Sequence, residues 1–133
     1  MLLITGLFGA FTGLFILILT YRVVRVRRSQ KIGIGSGGNA QLALARRVHE
    51  NLLENAPIFL ILLACAEINQ GSAAALYVIG LVWMVARLLH ALGLTLGQGG
   101  YHPGRFYGVL LTWLVITALC LLNLWQYLKF ALA

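Results

Sequence analysis

The chain begins with a long apolar run, LLITGLFGAFTGLFILILT at residues 2–20, and this run decides the fold. About 20 apolar residues in a helix are needed to cross the hydrocarbon core of a bilayer. The run is followed by Tyr21, Arg22 and Arg25, which suit a membrane–water interface. No positive residue precedes the run and no small-residue cleavage site follows it, so we expect a membrane anchor and not a cleaved signal peptide.

The composition of the whole chain is typical of a membrane protein. Hydrophobic residues make up 61% of the 133 residues and charged residues only 10%, against roughly 45–50% and 25% in soluble domains. The length suits one domain over residues 1–133. The formal net charge is +7, but the Lys and Arg residues lie beside apolar runs. We therefore expect membrane lipid, and no nucleic acid, as a partner.

The apolar runs predict an all-α membrane protein, a bundle of four transmembrane helices at about residues 2–24, 40–68, 72–94 and 106–128. The first link, RVRRSQKIGIGSGGN at 25–39, is basic and rich in glycine, with Ser36 or Asn39 near the next helix start. The second link, NQG at 69–71, is short enough to make an antiparallel hairpin. The third link, at 97–104, contains Pro103.

The distribution of basic residues predicts the orientation in the membrane. The first link carries Arg25, Arg27, Arg28 and Lys31, whereas the second link has neither Lys nor Arg. Because short cytoplasmic loops are enriched in Lys and Arg, the first and third links should be cytoplasmic. Both termini would then lie outside the cytoplasm.

The second predicted helix carries polar residues at membrane depth. Arg47, Asn51 and Glu54 stand at positions i, i+4 and i+7 and therefore share one narrow face. We call these three residues the polar stripe. A carboxylate and an amide in this zone are unfavourable unless they face a partner or a water-filled cavity. The polar stripe is therefore a candidate binding site.

Other spans bring cationic groups to the same depth, namely Arg25 at the end of the first, His90 near the end of the third and Arg105 at the start of the fourth. Arginine recognises carboxylates through two parallel hydrogen bonds, and Glu54 can hold an amine. The set predicts a small ligand with more than one carboxylate and one ammonium group.

Several residues allow two interpretations. Arg87 either reaches up to the interface as a snorkelling side chain or joins the site, and His49 and His90 are either structural or ligand contacts. Arg46 and Glu50 are read as an ordinary helix-surface pair. Glu67, at the other end of the second helix, is interpreted as reaching the opposite interface.

Metal and protease sites are not predicted. The segment HENLL, residues 49–53, begins like a zinc-protease helix but has Leu53 where a second His is needed. The chain has no Asp, so a Ser–His–Asp triad is impossible.

The pattern Arg47-x-x-x-Asn51-x-x-Glu54-x-x-Pro57 at the start of a second span resembles the signature of the MAPEG family, the membrane-associated proteins in eicosanoid and glutathione metabolism. Three further features fit the family pattern: the basic end of the first helix, the segment ARLLH at 86–90 and an Arg at the start of the fourth helix. The resemblance covers essentially the whole chain. The glycine-containing first link and the short length are most similar to the bacterial branch, which implies an inner-membrane location.

The resemblance implies a homotrimer that binds glutathione, as a co-substrate, between neighbouring subunits near the cytoplasmic face. By position, the glutathione contacts would be Arg25, Arg47, Asn51 and Glu54, with His90 near the ligand. Arg105 would be the catalytic residue that stabilises the glutathione thiolate, which is the nucleophile. No metal is implied.

The expected function is that of a glutathione-dependent transferase or peroxidase acting on a lipophilic small-molecule substrate, either an electrophile or a lipid hydroperoxide. The alternative is a non-enzymatic lipid-binding or scaffold protein of the same family. Leu94 favours the alternative, because catalytic relatives tend to carry Tyr one turn after the position of His90. A small transporter or channel subunit explains the charges less well, since they gather at one end of the spans.

Overall fold

The structure, a computed structural model, describes residues 1–132 and forms four α-helices within that range. They are α1 (Leu3–Gln30), α2 (Ala40–Ile68), α3 (Ala73–Leu96) and α4 (Pro103–Ala131). All four are long and apolar enough to cross a membrane. The predicted all-α, four-span fold is confirmed, while the homotrimer stays a prediction.

The helix α1 is longer than the predicted span, because it continues past residue 24 to Gln30. Arg25 therefore lies inside the helix and not at its end. The helix stops at Lys31, which adopts a left-handed conformation with φ of 55°. The Arg27 guanidinium then donates to the carbonyls of Ile32, Gly33 and Gly35, at 3.1–3.3 Å. The glycine-rich link thus folds around one arginine.

The helix α2 begins directly after Asn39, one of the two residues expected near the helix start. The Asn39 side-chain oxygen accepts a hydrogen bond from the Leu42 N–H at 2.8 Å, which satisfies one of the free donors of the first turn. The helix then continues without interruption through Pro57 to Ile68.

The core is organised around Trp83 of α3, which is fully buried. Its ring stacks on Phe59 of α2, with ring centroids 4.1 Å apart, and its indole N–H donates to the Thr12 hydroxyl of α1 at 3.1 Å. One turn away, Gly80 leaves room for the Phe8 ring, which a Cβ at this position would strike. These contacts join α1, α2 and α3 in the middle of the bundle.

Glu67 has a role different from the one expected. Its two carboxylate oxygens accept hydrogen bonds from the backbone N–H groups of Ile4 and Thr5, at 2.8 and 2.7 Å. A helix N-terminus carries unpaired N–H donors and a partial positive charge, and the carboxylate satisfies both. The interpretation of Glu67 as a residue that only reaches the interface was therefore wrong, because it caps α1 from the end of α2.

We expect Glu67→Ala to lower the stability of the protein by about 1–2 kcal/mol, because the first turn of α1 loses its cap. The measurement is the thermal unfolding midpoint of the purified protein in detergent. Glu50→Ala is the matched control, since Glu50 only forms the exposed pair with Arg46 at 2.9 Å and should change the midpoint little. Equal effects of the two substitutions would contradict the capping role.

Candidate functional site

The structure joins the two charged ends of the polar stripe. The Arg47 guanidinium lies 3.0 Å from the Glu54 carboxylate, and the two side chains are 56% and 54% exposed. Two turns of helix separate the residues, so the pair runs along the outer face of α2. The two charged residues of the stripe therefore point away from the core of the subunit.

Asn51, in the middle of the stripe, is turned toward the interior. Its side-chain oxygen accepts a hydrogen bond from Arg87 of α3 at 3.0 Å. An Asn side chain has one acceptor and two donor hydrogens, so its amide N–H groups stay available to a ligand. Asn51 thus connects the outward-facing stripe to the interior of the bundle.

For Arg87 the sequence left two interpretations open, a snorkelling side chain at the interface or a member of the site. It is only 3% exposed, so the interpretation as a snorkelling side chain was wrong. Besides Asn51, it donates to the Gly108 carbonyl at 3.2 Å and to the Thr112 hydroxyl, both on α4. The guanidinium also lies over the Trp83 ring, 5.1 Å from its centroid. The sequence signal for a buried Arg87 was its position, because a charged residue at the membrane depth of Asn51 needs a polar partner.

The acceptors of Arg87 within residues 1–132 are all uncharged: an amide, a carbonyl and a hydroxyl. Its Nε atom is buried and finds no acceptor in that same range. A guanidinium without a carboxylate partner leaves a positive potential around it. The region beside Asn51 is therefore electrostatically suited to an anion.

His90 and Arg105 lie where α3 and α4 touch through their backbones. His90 is buried against Gly108. A Cβ added to Gly108 would lie 2.5 Å from the backbone nitrogen of His90. One turn further along α3, a Cβ at Gly93 would strike the backbone of Arg105. Glycine at these positions lets the helices approach closely and sets the place of Arg105. The imidazole of His90 is packed between helices.

Arg105 stands in the first turn of α4 and is half-buried. Its guanidinium donates to the carbonyls of Gly99 and Gly100 at 2.7 and 3.1 Å through a single nitrogen. It also lines a cavity of about 480 Å³. The other walls of this cavity are mostly apolar and include Phe106, Val109, Leu110 and Trp113. One cation beside an apolar cavity suits a reaction between a polar and a lipophilic molecule.

The remaining candidates are not gathered with the stripe. Arg25 is exposed on α1 and enters no hydrogen bond or ion pair with residues 1–132. His49 lies 3.0 Å from the Thr20 hydroxyl and so ties α2 to α1. Leu94 is buried and offers no hydroxyl group.

No group of three or more His, Cys, Asp or Glu residues in the described range, 1–132, could hold a metal ion. The polar groups of the site are guanidinium, amide and a single carboxylate, which suit a zwitterionic organic ligand with excess negative charge.

These features define an integral membrane protein with four long helices and a cluster of cationic groups at one end. A sequence model of the MAPEG family matches residues 5–125, and the chain belongs to this family. Two relatives are called inner membrane protein YecN, from Escherichia coli strain K12 and from E. coli O6:H1 strain CFT073. Each is 28% identical over 127 residues, with 92% of both chains covered. No solved structure matches significantly.

The comparisons confirm the resemblance to the bacterial branch of the family. Together with the four apolar helices, they identify an integral inner membrane protein. The positions of the termini relative to the cytoplasm stay a prediction.

We expect Gly93→Ala to destabilise the protein by roughly 1–3 kcal/mol, because the added methyl group forces α4 away from α3 at Arg105. Gly6→Ala is the matched control, since a Cβ at Gly6 meets nothing within 4 Å in the subunit. The control should be neutral or slightly stabilising, because alanine favours the helix. Thermal unfolding in detergent compares the two, and a neutral Gly93→Ala would rule out the close contact of α3 with α4.

Proposed function

We propose that the protein is a membrane-bound, glutathione-dependent transferase or peroxidase that acts on lipophilic electrophiles or lipid hydroperoxides. Glutathione is the co-substrate, and it binds between the subunits of a homotrimer at the polar stripe. The observation that carries the proposal is the exposed Arg47–Glu54 pair on a membrane-spanning helix, with Asn51 held beside it by Arg87.

The outward direction of the pair supports a site between subunits. Both side chains are more than half exposed, and the stripe lines neither the cavity beside Arg105 nor a second one at the other end of the bundle. Charged groups facing hydrocarbon are unfavourable. A neighbouring copy of the chain that covers the stripe removes this contact and encloses the ligand.

Glutathione has two carboxylates, one ammonium group and one thiol, and the chain offers a partner for each. Arg47 and Arg25 suit the carboxylates, and Glu54 suits the ammonium group. The free amide N–H groups of Asn51 and the uncompensated charge of Arg87 favour an anion at the same place.

Arg105 suits the thiolate, because a nearby guanidinium lowers the pKa of the glutathione thiol and so raises the fraction of nucleophile. The thiolate sulfur bonds to the electrophilic carbon while the leaving group departs with the bonding electrons. With a hydroperoxide, two glutathione molecules are oxidised to the disulfide while the peroxide O–O bond breaks to give an alcohol and water.

The cavity beside Arg105 supports a lipophilic second substrate. Its walls of Phe106, Leu110 and Trp113 lie on α4, so an apolar molecule can enter from the bilayer. The positive-inside rule orients this end toward the cytoplasm, with both termini outside it. Cytoplasmic glutathione then meets membrane-dissolved substrate at Arg105.

Calorimetry of the purified protein with glutathione tests the binding site. We expect Glu54→Gln and Arg47→Ala each to weaken binding at least roughly tenfold, because each leaves a ligand charge without its partner. Glu50→Gln, on the same helix but in the surface pair with Arg46, should bind like the wild type. Unchanged affinity in both stripe variants would remove the polar stripe from the site.

Arg105→Ala tests the chemical step. We expect conjugation of an aromatic electrophile to fall by about 10²–10³-fold or more, because the thiolate loses its stabilising charge. Trimers should persist, measured by size-exclusion chromatography with light scattering. Full activity in this variant would exclude Arg105 from the mechanism.

The second candidate function is non-enzymatic lipid binding or scaffolding within the same family. Leu94 favours it, because this buried side chain has no hydroxyl to help hold a thiolate. This function predicts that the cavity beside Arg105 takes lipid, whereas glutathione and an electrophile give no turnover. The activity assay of the wild-type protein separates the two functions.

A further inference from the structure

A second cavity, of about 740 Å³, lies at the end of the bundle opposite Arg47 and Arg105. One wall is the α2–α3 link, residues 68–72, and the other is the last part of α4, from Leu122 to Phe130. It is larger than the cavity beside Arg105 and has no lining residue in common with it. The proposed glutathione chemistry makes no use of it.

Two side-chain amides of α4 hold the walls together. Asn123 donates to the Leu62 carbonyl of α2 at 3.0 Å. Gln126 donates to the carbonyls of Ala66 and Asn69, at 3.1 and 3.2 Å. Because the end of α2 and its following turn are fixed to α4 in this way, the cavity is a formed feature of the fold.

Lys129 is the one charged residue among those that line the cavity. The carboxylate of Glu67, which adjoins the lining residue Ile68, is already bonded to the N–H groups of Ile4 and Thr5. The link adds exposed, uncharged donors from Asn69, Gln70 and Ser72. The polar side of the cavity is therefore complementary to an anionic group.

The rest of the cavity lining is apolar and aromatic. Ile68, Leu122, Trp125 and Phe130 line it, and Trp125 and Phe130 are largely exposed. Tryptophan is enriched at membrane–water interfaces, where its apolar ring and polar N–H suit the headgroup level. The cavity thus offers a cation and hydrogen-bond donors next to an apolar wall at one membrane surface.

We propose that this cavity binds an anionic phospholipid, with its phosphate at Lys129 and an acyl chain along Leu122 and Trp125. The bilayer is the source of the ligand, because the apolar wall belongs to a membrane-spanning helix and continues toward the hydrocarbon core. The charge complementarity selects anionic over zwitterionic headgroups. This lipid site is separate from the polar stripe and does not depend on the proposed function.

Quenching of Trp125 fluorescence tests the proposal. Trp83 is buried in the core, whereas Trp113 is exposed elsewhere on α4. The full chain carrying Trp113→Phe therefore reports mainly on Trp125. It is purified in a neutral detergent and titrated with brominated phosphatidylglycerol or brominated phosphatidylcholine. We expect the anionic lipid to quench at about fivefold lower concentration than the zwitterionic lipid. One lysine near a membrane surface raises the affinity for an anionic headgroup by about this factor.

With Lys129→Gln in the same background, the two lipids should quench Trp125 at the same concentration. With Lys129→Arg, the anionic lipid should still quench at the lower concentration. Lys31→Gln is the matched control, because Lys31 is the other lysine of the chain and lies at the opposite end. Equal quenching by both lipids, or a preference that survives Lys129→Gln, would overturn the proposal. If inorganic phosphate relieves the quenching while chloride at the same ionic strength does not, the cavity binds free phosphate. That result would contradict a membrane lipid as the source of the anionic group.

Discussion

The buried guanidinium of Arg87 is the interaction on which the arrangement of the helices depends. It bonds to Asn51 on α2 and to Gly108 and Thr112 on α4, and it lies over Trp83 on its own helix. Trp83 in turn stacks on α2 and bonds to α1. One polar centre therefore joins all four helices of the described range. In an environment without water, such bonds are hard to replace, since a freed polar group has no other partner.

The same centre supports the candidate site. Asn51 stands between Arg47 and Glu54 in the stripe, and its side-chain oxygen accepts a hydrogen bond from Arg87. The interior of the bundle therefore holds the middle residue of the stripe in place, while the two charged residues face outward. The position of Arg105 depends on a different contact, the close approach of α4 to Gly93 of α3. The two halves of the proposed reaction site thus rest on the packing of α3 against its neighbours, and neither half is carried by a mobile loop.

The two ends of the bundle have different chemistry. The end with Arg47 and Arg105 combines an exposed ion pair with an apolar cavity of about 480 Å³. At the other end, Glu67 holds the start of α1, and Lys129 stands in a larger cavity of about 740 Å³. Membership of the MAPEG family explains the four-helix architecture, whereas the proposals at each end are argued from the side chains found there.

The sequence by itself determined the number of helices, their membrane character, the shared face of Arg47 and Glu54 and the family. These follow from apolar run length, helical periodicity and a local motif, which depend on residues close together in the chain. Only the tertiary structure decided that Glu67 caps α1, that Arg87 is buried among three helices and that Gly93 sets the position of Arg105. The physical reason is that each of these depends on a contact between distant segments, and a one-dimensional pattern does not specify which side chain meets which backbone group.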